Sequence, residues 1–291
     1  MFRFLLLALA IFIPAQSHAF PLTSARSWAL ANSMEIQSDG FNFDGIVAMS
    51  NCSASFVRFK GASDDSLAMV LTNGHCVGGS PFFGGMLQPG QVYYNKPKSF
   101  SVTLLDRNAN RITTLRSDKI IYATMTDTDM ALLELTQTYR QIRQATGVEA
   151  LEIVDQKPEV GTQIEIPSGY WKKTYACSIE AFIPTLRESN WTMKESIRYS
   201  PVGCEVIGGT SGSPILSVAS GDIVGINNTG NESGERCTMN NPCEVDENGN
   251  INVIRGRGYG QQLYKVYTCL NGNRAFDLAE STCALPRGTA I

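Results

Sequence analysis

Short β-prone runs recur along most of the chain with turn signals between them, and this repetition restricts the fold more than any other feature of the sequence. From Gly45 the runs are Ile46 to Met49, Ser55 to Phe59, Leu67 to Thr72, Gln91 to Tyr94, Phe100 to Leu105, Arg111 to Leu115, Lys119 to Tyr122 and Met130 to Leu135. A polar stretch at 136–147, with Gln137, Arg140, Gln141, Arg143 and Gln144, ends at Gly147 and reads as a helical connection. A second series follows with Leu151 to Val154, Thr162 to Ile166, Tyr175 to Ile179, Ser196 to Tyr199, Ile215 to Val218, Ile223 to Ile226 and Ile251 to Ile254. Strands at this spacing, joined by turns, predict an all-β chain of antiparallel barrels or sandwiches. We divide it into β domains at 45–140 and 141–260. Apolar residues at Leu263, Val266, Tyr267 and Leu270 have helical spacing, so 261–291 reads as a short C-terminal helix and a disulfide-tied tail.

The N-terminus assigns a compartment. Arg3, the apolar run Leu5 to Ile13 and the small residues Ser17 and Ala19 predict a signal peptide at 1–19, cleaved after Ala19. The run is too short to span a bilayer. Taking nineteen residues from 291 leaves 272, of which 20–44 reads as an arm or pro-segment. The expected product is a secreted or periplasmic monomer with no membrane attachment. Export accounts for the cysteines: there are 8, an even number with no CxxC pair, which favours disulfides over a metal site. Local spacing suggests Cys52 with Cys76, Cys177 with Cys204, Cys237 with Cys243 and Cys269 with Cys283, although spacing alone leaves other pairings open. Net charge is -3, and about −4 once Arg3 is removed, with acids and bases interspersed. Nothing in that pattern calls for a nucleic-acid partner or an anionic membrane.

The chemistry centres on Gly208, Gly209, Thr210, Ser211, Gly212, Ser213 and Pro214. A serine among glycines presents its hydroxyl on an uncrowded turn where backbone N–H groups converge, the requirement of an acyl-transfer nucleophile. Such a serine needs a base that titrates near neutrality. Once His18 leaves with the signal peptide, His75 is the one imidazole remaining. Asp129, directly ahead of an apolar strand, is the carboxylate suited to orient that ring, with Asp127 as its rival.

Taken together, Thr72 to Cys76 (TNGHC), Asp129 to Leu133 (DMALL) and Gly209 to Pro214 (GTSGSP) resemble the histidine, aspartate and serine motifs of the chymotrypsin-like (trypsin-fold) serine endopeptidases, in that order. The resemblance covers roughly residues 44–270. It implies two β-barrels with His75, Asp129 and Ser211 in the cleft between them, and an oxyanion hole from the backbone N–H groups of Gly209 and Ser211. It also implies a protein or peptide substrate, an acyl-enzyme intermediate, a bridge between Cys52 and Cys76, and no cofactor or metal. Thr210 stands where the trypsin group has an aspartate, so Ile46 and Val47 are not an activation site. Ser213 is similar to bacterial members. Asn228 and Gly230 resemble a wall of the primary specificity pocket. Glu205 reads either as that pocket's basal acid, selecting Arg or Lys, or as a surface charge beside Cys204. Asn227 stands where the glutamyl-endopeptidase group has its pocket histidine, which argues against acidic substrates.

Two rival enzyme readings fail on order and context: an α/β-hydrolase needs a histidine after its serine, and a subtilisin-like enzyme needs a helix where Pro214 and a β-prone run follow Ser211. The alternative from another class is a catalytically silent binding module on the protease fold.

Overall fold

Each predicted β run overlaps a strand in the computed structural model, which describes residues 42–78 and 85–291. The predicted signal peptide and all but the last three residues of the 20–44 lead-in lie outside the described residues. The first six strands are β1 (Ile46–Ala48), β2 (Ser53–Phe59), β3 (Leu67–Thr72), β4 (Gln91–Leu105), β5 (Arg111–Thr124) and β6 (Met130–Thr138). Antiparallel pairing runs β1–β2–β3–β6–β5–β4 and returns from β4 to β1, closing a ring. Gln91 to Tyr94 and Phe100 to Leu105, separate runs in the sequence, belong to one long strand that is irregular between Pro97 and Phe100. Such an irregularity bends a strand and increases its twist, which lets one strand continue around a closed sheet.

A short helix, α1 (Gly74–Gly78), follows β3. The polar connection is a second helix, α2 (Tyr139–Thr146), with a reciprocal cap between Thr138 and Gln141 at its start and left-handed Gly147 at its end. Next comes β7 (Leu151–Ile153), which pairs in parallel with β2 on one side and with Ile223 of the second half on the other. It stitches the two halves together.

The second half contains β8 (Gln163–Ser168), β9 (Lys173–Glu188), β10 (Trp191–Tyr199), β11 (Pro214–Ser217), β12 (Ile223–Gly230), β13 (Cys243–Val245), β14 (Ile251–Asn252) and β15 (Gly258–Gln262). Pairing runs β8–β9–β10–β15–β12–β11 and back to β8. Counting only the six strands of each ring, and so omitting β13 and β14, this is the order of the first ring: first, second, third, sixth, fifth, fourth. The fold is therefore all-β and chymotrypsin-like. Ile164, Ile166, Ile179, Ile197, Tyr199 and Ile215 fill the second ring's core, and Ala54, Phe56, Val70, Leu104 and Leu133 belong to the first.

The C-terminal helix is a 3-10 helix, Tyr264–Cys269, not an α-helix. Its three-residue repeat puts Leu263, Val266 and Cys269 on one fully buried line, whereas Gln261 and Gln262 belong to β15. With Leu278 and Leu285 of the tail, this line packs on Val57, Phe59, Leu71 and Leu132, the outward residues of the first ring. That cover is why β2 is buried on both faces instead of alternating. The final strand, β16 (Thr289–Ala290), adds to β4. Disulfides join Cys52–Cys76, Cys177–Cys204, Cys237–Cys243 and Cys269–Cys283. Among the described residues, no helix is long and apolar enough to cross a membrane.

Candidate active site

The first ring supplies an imidazole and a carboxylate already joined. β3 ends at Thr72, α1 carries His75, and Asp129 immediately precedes β6, the neighbour of β3 in the sheet. Asp129 is 1% exposed, and both its oxygens are used: Oδ2 accepts from His75 Nδ1 at 2.7 Å and Oδ1 from the His75 backbone N–H at 3.1 Å. Asn73 adds a third tie, its Nδ2 donating to the Asp129 carbonyl at 2.7 Å. A carboxylate bound to Nδ1 fixes the proton there and leaves Nε2 as the ring's free acceptor. Burial works against a charged His75 ring. The Asp129 charge and hydrogen bond, with a smaller contribution from Glu188, outweigh it and hold the imidazole pKa above its ordinary 6.5. The sulfurs of Cys52 and Cys76 lie within 4.8 Å of the ring, but they are spent in a disulfide and are not thiolate ligands for a metal.

The second ring supplies a loop of pinned peptides. No acceptor among the described residues takes the backbone N–H of Gly209 or of Ser211, and the carbonyl on the far side of each peptide is held elsewhere. The Gly208 carbonyl accepts from Trp171 Nε1 at 2.8 Å. Thr210's carbonyl accepts from Asn227 Nδ2 at 2.9 Å and from Ser213 N at 3.0 Å. In a planar trans peptide the N–H points opposite to the C=O, so these contacts fix the direction of both free N–H groups. Asn227 is itself held by the Tyr199 hydroxyl at 2.9 Å.

Ser53, on β2 of the first ring, ties this loop across the junction. Its hydroxyl donates to the Gly209 carbonyl at 3.1 Å and accepts from Tyr170 N at 3.2 Å. Ser168, 2.9 Å away, must then be the donor to Ser53, since a hydroxyl has one proton to give. The Ser53 backbone N–H also holds the Ser211 carbonyl at 2.8 Å. Gly212 has φ +83 and a Cβ there would strike the Ser53 carbonyl and the Thr72 hydroxyl, so the turn behind Ser211 admits only glycine. The Ser211 hydroxyl donates to the Asn228 carbonyl at 3.1 Å, and no hydrogen bond joins it to His75.

Both halves open onto one cleft of about 1010 Å³, lined by His75, Asp129, Gly209 and Ser211. A family model described as the trypsin-like peptidase domain matches residues 52–226, well over half of the sequence. The chain belongs to that family. No curated protein matches the chain in sequence. Similar solved structures include the MamO protease domain from Magnetospirillum magneticum, at 13% identity and TM-score 0.47, covering 79% of this chain and 97% of that one. Another is the Nocardiopsis protease NAPase, at 16% identity and TM-score 0.41, covering 77% of this chain and 90% of that one.

Of the residues predicted for the specificity pocket of the trypsin-like peptidase, Asn228 and Gly230 line the cleft and Glu205 does not. Glu205 is exposed, and its carboxylate accepts from the Gly203 N–H at 3.1 Å in the turn before the Cys204 disulfide. Its neighbour Val206 faces the cleft in its place. The surface-charge reading of Glu205 therefore replaces the pocket-acid reading. Asp127 is also outside the cleft, exposed at φ +57, with its backbone bonded to Thr192 and Lys194 of β10. Sequence reasoning missed four residues: Ser53, Trp171, Asn227 as a brace for the Thr210 carbonyl, and Glu188. Only the fold brings Asn227 and Glu188 to the cleft and sets Ser53 and Trp171 behind the Ser211 loop.

Proposed function

We propose that the protein is an exported serine endopeptidase acting through Ser211, His75 and Asp129. The observation that carries this reading is the Asp129–His75 pair at 2.7 Å, facing the same cleft as Ser211 and two unclaimed backbone N–H groups. His75 Nε2 takes the Ser211 proton as Oγ attacks the scissile carbonyl, and Asp129 stabilises the resulting imidazolium. Gly209 N–H and Ser211 N–H receive the negative oxygen of the tetrahedral intermediate. The imidazolium then protonates the leaving amine, and water repeats the cycle on the acyl-enzyme. No cofactor or metal enters these steps. Asn228 and Gly230 lie along the substrate path, with Val206 supplying an apolar surface where Glu205 would have supplied charge.

Four disulfides support export to an oxidising compartment, secreted or periplasmic, where the substrate is a protein or peptide and the enzyme acts as a monomer. A silent binding module is favoured by one observation, the Ser211 hydroxyl bonded to Asn228 and not to His75. A serine hydroxyl is free to turn about its Cα–Cβ bond, and nucleophile–base hydrogen bonds commonly tighten only when substrate is present. Labelling with a fluorophosphonate probe separates the two readings. Stoichiometric labelling that disappears in Ser211→Ala and His75→Ala supports the peptidase. A folded, disulfide-intact protein that stays unlabelled before and after limited proteolysis of its first 45 residues supports the module.

A further inference from the structure

Glu188 is a buried acid that the reaction does not use. It ends β9, is 7% exposed and lines the cleft that holds His75, Asp129 and Ser211. One carboxylate oxygen accepts from the Asn240 N–H at 2.8 Å, in the loop closed by the Cys237–Cys243 bridge. No lysine or arginine pairs with it among the described residues, although Arg198, Arg257 and Lys265 are each matched to an acid elsewhere in the second ring. A carboxylate removed from water without a cation is costly, and proteins retain such groups chiefly where a ligand or a reaction uses them. Burial pushes the Glu188 pKa up, opposed by the nearby Thr229 hydroxyl, the Asn240 amide and His75 and reinforced by Asp129.

The surroundings specify the missing partner. The cleft is lined by the acids Asp129, Glu188 and Glu232 and by no lysine or arginine among the described residues. Asp129 is fully engaged with His75, and Glu232 is exposed at the rim. The apolar side chains of Trp191, Met193 and Met239 share the cleft with Glu188 and suit the methylene stem of a long cationic side chain. Methionine adapts to such stems because its unbranched thioether repacks easily.

On the peptidase reading above, we propose that Glu188 is the anionic end of a subsite for a lysine or arginine side chain of the substrate, separate from the primary pocket beside Val206. The cation supplies the charge that the fold withholds from Glu188.

The test uses internally quenched peptides in which arginine or its neutral isostere citrulline occupies each of three positions on either side of the scissile bond. The full-length mature protein and its Glu188→Gln and Glu232→Gln variants are assayed, with fluorophosphonate labelling of every sample. We expect one position at which arginine exceeds citrulline by roughly 30-fold or more in kcat/KM, a ratio collapsing in Glu188→Gln and persisting in Glu232→Gln. A labelled wild-type enzyme with no such position overturns the proposal and leaves the peptidase reading intact, whereas absence of labelling strikes that reading itself. Loss of the preference in Glu232→Gln with retention in Glu188→Gln also overturns it. If Glu188→Gln does not fold, Glu188→Asp takes its place: withdrawing the carboxylate by one methylene should lower the arginine-to-citrulline ratio, and an unchanged ratio overturns the proposal.

Discussion

The two halves of the site are rigid for different reasons. The His75 half is self-contained: Asp129, Asn73 and His75 lie on adjoining elements of one ring and satisfy one another through short hydrogen bonds. The Ser211 half is held from outside, by Trp171, Asn227 and Ser53, and among the described residues the N–H groups of Gly209 and Ser211 stay unpaired. A base is improved by a fixed partner on its far nitrogen, whereas an oxyanion site works only if its donors are aimed and empty. The comparison separates a pair that orders itself from a loop that is ordered by its neighbours.

The largest effect that sharpens this contrast is expected from Asp129→Asn. The fold should persist, but the imidazole proton is no longer fixed on Nδ1, and kcat should fall by about 10⁴-fold. A loss under about tenfold, measured by steady-state kinetics on a circular-dichroism-verified variant, would show that His75 does not depend on its built-in partner.

Next comes Trp171→Phe, which keeps an aromatic ring and removes the donor to the Gly208 carbonyl. The freed peptide loses its fixed orientation, so kcat should drop toward roughly 100-fold with KM little changed, and affinity for a peptide boronate should fall in parallel. A rise in KM at constant kcat would mean that Trp171 affects substrate binding and not the orientation of the loop, and the outside-brace picture would break at that residue.

The smallest effect is a displaced pH profile. Because the His75 pKa lies above 6.5, the neutral base appears only at higher pH, and the acid limb of kcat/KM should lie above that value. Asp129→Asn should move the limb down. The stability contribution has the matching sign: the charged His75–Asp129 pair stabilises fully below pH 6.5, and that stabilisation is lost as pH rises through the raised folded-state value. Thermal unfolding across this range measures it, and a wild-type limb at or below 6.5 would contradict the strong coupling within the first half.

The same contrast separates what was readable in the chain from what was not. His75, Asp129 and Ser211 were legible because the chemistry restricts residue type at each point, and the four bridges join cysteines that are neighbours along the sequence. β15 was not legible. Its Gly-Tyr-Gly-Gln-Gln sequence has weak strand character, and Gly260 is there because the Tyr199 hydroxyl, Ile215 and the Ile226 carbonyl leave no space for a Cβ. Glu205 misled because position relative to Ser211 does not give side-chain direction, and the Gly203 turn points it to solvent.

By itself the sequence determined the β class and the cysteine pairs, and it named the three side chains proposed to react, because periodicity, turn chemistry and nucleophile chemistry act over short stretches. Tertiary structure alone decided that the two rings share one strand order, that a 3-10 helix and tail cover the first ring, that Asn227 and Glu188 reach the cleft, and that Ser53 and Trp171 hold the Gly208–Ser211 loop from behind. The reason is range. Ser53 meets Gly209 across 156 residues and Trp171 meets Gly208 across 37, and contacts at such separations leave no local pattern to read.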